Sequence, residues 1–72
     1  MTKEEFIIKV KEIIDTTAEI DENTILAEIE EWDSVAILGL LSLYDELNVE
    51  IDVDEFENFK TMKDLLEKGN ID

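Results

Sequence analysis

The sequence contains no cysteine, no histidine and no arginine, and each absence closes off some chemistry. Without cysteine, the polypeptide itself has no disulfide scaffold, thiolate metal site or thiol nucleophile. Without histidine it lacks the usual base at neutral pH and the commonest zinc ligand. No apolar run approaches the length of a membrane span, and no charged-then-apolar start suggests a secretory signal. The expectation is a cytoplasmic monomer that engages no membrane.

What is present is acid. Six lysines stand against twenty-one Asp and Glu, a net charge of −15. Between Lys11 and Lys60 there is no basic residue, while sixteen acids fall in that stretch. Nucleic acid would be repelled, and the compact state is strained by its own charge. A partner with a basic docking surface would be steered in quickly. The alternative is that the acids only keep a small domain soluble, although solubility needs far less charge. At 72 residues the chain is one domain, near the lower size for a core without disulfides or metals.

The pattern along the chain is helical. Thr2 with Glu5 matches a capping box, and Phe6, Ile7, Val10, Ile13 and Ile14 follow at helical spacing, which predicts a helix over about 3–15. Residues 16–31 read as a long loop pinned by Ile20, Ile25, Leu26 and Ile29, with a short helical turn near 25–29. A second helix opens at Asp33 or Ser34 and runs to about Leu47. Its apolar content is wide enough to suggest packing on more than one side, with Leu41 in the core. Gly39 inside it marks either a close helix contact or an exposed position.

Asp52 with Glu55 caps a short turn carrying Val53, Phe56 and Phe59. Thr61 with Asp64 begins a last helix, and Gly69 supplies its stop. The segment at Val49–Ile51 is extended in pattern but too short to imply a sheet. The fold class expected is all-α: a small four-helix bundle, three main helices plus one short, with a long loop between the first two.

One segment stands out, Glu31-Trp32-Asp33-Ser34-Val35-Ala36-Ile37-Leu38, where an acidic loop becomes an apolar helix. It places a serine hydroxyl at a helix start. This segment, with the helix order around it, resembles the acyl carrier protein family, in which an Asp-Ser pair followed by an aliphatic residue opens the second helix. The Glu-Trp-Asp-Ser form looks most like freestanding bacterial carriers of specialised pathways. The resemblance implies a carrier with no catalytic residue and no resident metal. Ser34 would take phosphopantetheine from coenzyme A through a separate phosphopantetheinyl transferase, with Asp33 flanking the site. Acyl or aminoacyl groups would then travel as thioesters between loading and processing enzymes. Two features depart from the family pattern: Val35 stands where leucine is usual, and Asp45-Glu46-Leu47 ends the helix one residue early. Both bear on partner choice.

The residues also admit plainer readings. Ser34 reads equally as a helix cap or a first-turn serine. Val35, Asp45 and Glu46 are candidates for an enzyme-facing surface, or an ordinary solvated face. Trp32 reads as a packing residue closing the loop over the core. The acids at 52–55 lack the glycine and ligand spacing of a calcium loop. Two further function classes stand beside the carrier. One is a small acidic adaptor that binds a basic protein through the second helix without a prosthetic group. The other, an enzyme acting through paired carboxylates, is the weakest, because little here would position or activate a substrate.

Overall fold

Thr2 opens the first helix, α1 (Lys3–Ile14), by a reciprocal pair of bonds. Its hydroxyl accepts the Glu5 N–H at 3.2 Å, and the Glu5 carboxylate accepts the Thr2 N–H at 3.3 Å. Phe6, Val10 and Ile14, four residues apart, form the buried stripe. Asp15 ends the helix in the left-handed region, with φ 56°. The computed structural model describes residues 1–71.

Two more α-helices follow, α2 (Ser34–Glu46) and α3 (Met62–Lys68). A 3₁₀ turn, Leu26–Glu28, lies in the loop between α1 and α2. The short helix after α2 is also 3₁₀, over Val53–Asn58. Its Glu55 carboxylate accepts the Asp52 N–H at 2.8 Å and so caps the first turn. There is no strand among the described residues, only an isolated bridge between Ile25 and Thr61. The molecule is thus the small all-α bundle that its periodicity implies.

α3 ends at Lys68 with Gly69 as its cap, as expected, but the left-handed residue that follows α2 and α3 is not glycine. Asn48 and Asn70 take the left-handed conformation, with φ 60° and 55°. Asparagine tolerates that region because its side chain can bond locally. Gly69 sits one residue before Asn70 with φ −86°, so it is not the left-handed stop that its position suggests. α2 also closes at Glu46 rather than Leu47.

One contiguous cluster forms the core, drawing on all three helices and both 3₁₀ segments. Tyr44 sits at its centre, its ring 6.0 Å from Phe6 and 6.3 Å from Phe56. Its hydroxyl donates to the Leu65 carbonyl at 2.7 Å, fastening α2 to α3. Burial pushes the phenol well above its usual range. Leu40 is fully inaccessible, whereas Leu41 is only half-buried against the core edge. The expectation that Leu41 is a core residue is therefore corrected by one position. Val53, expected on the apolar side of its turn, is 52% exposed.

Gly39 marks a close helix contact. A Cβ built there would collide with the Cγ2 methyl of Ile13, so α1 and α2 meet where only hydrogen fits. The long loop is held by its backbone as well as by its side chains. Leu26 N–H donates to the Lys60 carbonyl at 2.9 Å, Met62 N–H to Thr24 at 3.0 Å, and Lys63 N–H to Glu22 at 2.9 Å. Leu26 and Ile29 are buried and Ile20 is half-buried, as anchors should be. Ile25 instead remains 45% exposed.

Candidate functional site

α2 is apolar nearly all round, yet its burial is one-sided. Ala36, Leu40, Leu43 and Tyr44 face the core. Ser34, Val35, Leu38, Ser42, Asp45 and Glu46 are all exposed. At 100° per residue these six fall on a single stripe about 120° wide, running the length of the helix. The serine begins it and two carboxylates end it. Of the residues singled out from the sequence, Ser34, Val35, Asp45 and Glu46 therefore share one face. Leu38 belongs to that face too, 62% exposed beside Val35 at 73%. The sequence alone does not single it out, since its own helix repeats leucine in every direction.

Asp33 is the cap. Its carboxylate accepts the Ala36 N–H at 3.0 Å, with its backbone extended at φ −144°. Ser34 is consequently the first helical residue and leaves its hydroxyl free of the capping task. The N–H groups of Ser34 and Val35 lie in the first turn, where helix geometry offers no partner. With the positive end of the helix dipole, they favour an anion at this spot. The acids Glu31 and Asp33 oppose it. Trp32 is half-buried, its ring 6.5 Å from Phe56, and it closes the loop against the core as expected.

The acid end of the stripe continues past the helix. Asp45, Glu50, Asp52 and Glu55 line an open trough of about 760 Å³ together with Leu41 and Ile51. Glu55 is tied by Lys68 Nζ at 2.8 Å, and that bond, with the Asp52 N–H, holds its pKa below the usual carboxylate range. Asp64 is lowered by the Lys60 and Thr61 N–H groups that it accepts. Neither shift touches the stripe. Among the described residues no helix is long and apolar enough to cross a membrane.

No family model, curated protein or solved structure matches this chain. The stripe on α2 therefore has to be interpreted from its own chemistry. It offers two exposed hydroxyls, Ser34 in the first turn and Ser42 two turns on, with two exposed aliphatic side chains and two carboxylates, and no cation.

The charge arrangement has a measurable consequence. Only two ion pairs occur among the described residues, Lys3 with Glu22 at 3.1 Å and Lys68 with Glu55. Exposed pairs contribute about 0–1 kcal/mol each. The unpaired acids repel throughout, so screening should relieve more than it weakens. Raising ionic strength from about 0.01 M to about 0.15 M shortens the Debye length from roughly 30 to roughly 8 Å. The melting temperature is expected to rise over that range, and flat thermal scans would contradict it.

Proposed function

We propose that the protein is a carrier that holds acyl or aminoacyl groups on a phosphopantetheine arm attached to Ser34. One observation carries the reading: an exposed serine is the first residue of α2, released from capping by Asp33 and followed by exposed Val35 and Leu38. A tether needs a reachable hydroxyl on a rigid element, with no demand that it be reactive by itself. The residues fit such a group. The Ser34 oxygen would hold the phosphodiester, and the unpaired N–H groups of Ser34 and Val35 favour its charge. When bound, the arm supplies a thiol that carries cargo as a thioester. Because the chain has no cysteine, that thiol would meet no intramolecular disulfide partner.

The rest of the stripe suits recognition. Val35 and Leu38 give a partner enzyme an apolar contact beside the serine, and Asp45 and Glu46 give it charge at the far end. An acidic surface of this kind draws in enzymes with basic docking surfaces, the transferase included. In this reading the protein performs no catalysis of its own and works in the cytoplasm.

The test is attachment. Incubated with coenzyme A, magnesium and a broad-specificity transferase, the chain should gain one phosphopantetheine by intact-mass spectrometry. Ser34 Oγ would displace adenosine 3′,5′-bisphosphate at phosphorus, its proton passing to solvent. Ser34→Ala should gain nothing while keeping its helical circular dichroism. If the wild-type chain stays unmodified where a known carrier is loaded, the acidic adaptor becomes the better reading.

A further inference from the structure

Beside the serine turn lies a groove that the carrier reading does not use. Ile25, Leu26, Trp32, Phe56 and Phe59 line it, enclosing about 590 Å³ of open space. We infer that this groove seats the cargo, and that the cargo it fits is an aromatic acyl group bearing a phenolic hydroxyl. The inference rests on Ser34 carrying the arm.

Position comes first. Trp32 stands two residues before Ser34, at most roughly 7 Å of backbone, so the groove begins next to the attachment point. Composition comes second. The rings of Phe56 and Phe59 meet nearly edge-on, 5.4 Å apart at 76°, and Trp32 tilts at 50° to Phe56. A further ring entering there finds faces and edges for the offset and edge-to-face contacts that aromatic pairs prefer. The volume suits a small ligand. By contrast, Phe6, Leu40, Met62 and Leu65 are fully inaccessible, so a long aliphatic chain entering between the helices would have to displace close-packed side chains.

The rim decides the substituent. Glu57 and Lys60 both border the groove, with the Thr61 residue beside them. Lys60 makes no ion pair among the described residues. A carboxylate on the cargo would meet Glu57 and a chain of net charge −15. A neutral phenol can accept from the ammonium or donate to the carboxylate. A rim of both signs thus selects a group that donates and accepts without carrying charge.

The experiment loads the chain from 4-hydroxybenzoyl, benzoyl and octanoyl coenzyme A. Cleavage of each thioester by hydroxylamine is then timed against the same acyl group on free pantetheine. The 4-hydroxybenzoyl thioester should be protected roughly two- to ten-fold, the range set by one aromatic contact. The octanoyl thioester should show no protection. Emission of Trp32, the sole tryptophan, should shift with the aryl cargo alone. Phe59→Ala should remove the protection, and Lys60→Met should erase the preference for hydroxybenzoyl over benzoyl. Equal protection of octanoyl, or loaded hydroxybenzoyl that is unprotected with Trp32 unmoved, would overturn the inference and leave the carrier reading intact. Absence of any added mass would instead overturn the carrier reading itself.

Discussion

Leu40→Ala should cost about 2–5 kcal/mol, because it deletes a fully buried side chain from the middle of α2. A domain of this length is stable by roughly 4–11 kcal/mol in all. The variant should therefore lose a large share of that stability, enough to unfold it if the wild type lies at the low end of the range. Urea titration followed by circular dichroism measures the loss. Two neighbours serve as controls on the same helix. Leu38→Ala, 62% exposed, should change stability by no more than about 0.5 kcal/mol. Leu41→Ala should fall between them. If the three leucines respond alike, the burial pattern assigned to α2 is wrong, and with it the exposed stripe that begins at Ser34.

The second large effect has a sign that propensity alone would get wrong. Alanine favours helix over glycine by about 1 kcal/mol, which argues that Gly39→Ala should stabilise α2. The added Cβ, however, meets the Cγ2 methyl of Ile13. That methyl is fixed to the β-carbon and cannot swing away as the end of a long side chain can, so α1 and α2 must separate. Overpacking of this kind costs about 1–3 kcal/mol. The net result should be destabilisation of up to about 2 kcal/mol. Ile13→Ala made in the same chain should return part of it, giving a non-additive cycle. A Gly39→Ala variant that melts above the wild type would refute the close contact.

Much of this architecture is legible in the residues because local rules settle it. The capping pairs Thr2 with Glu5 and Thr61 with Asp64 place the starts of α1 and α3, since each is fixed by bonds within four residues. Asp52 with Glu55 places the short turn for the same reason. α2 is located equally well, but its rotation is not. Leucine and isoleucine point in nearly every direction, so periodicity cannot tell Leu40 from Leu41 or see that Leu38 faces water. The phase of α2 is fixed by tertiary packing, with α1, the 3₁₀ segment Val53–Asn58 and, through Tyr44, α3. Gly39 is ambiguous on its own for a related reason, since its meaning depends on Ile13 in another helix.

The loop shows the same limit. Its apolar residues announce that it is anchored, whereas the backbone bonds to Lys60, Met62 and Lys63 join segments far apart in sequence and leave no local signature. At the candidate site, the Asp-Ser pair and the helix boundary are visible in one line of sequence. Which of the two residues caps is decided by the bond from Ala36 N–H to Asp33.

Those backbone bonds also impose an order of events. The strand-like crossing of residues 22–26 over 60–63 spans both sides of α2, so it cannot form until the last of these has left the ribosome. A nascent chain already holding Ser34 would have its approach segment still unmoored. Mooring of the loop that leads into α2 thus becomes a late step in biogenesis, reserved for chains whose far end has arrived.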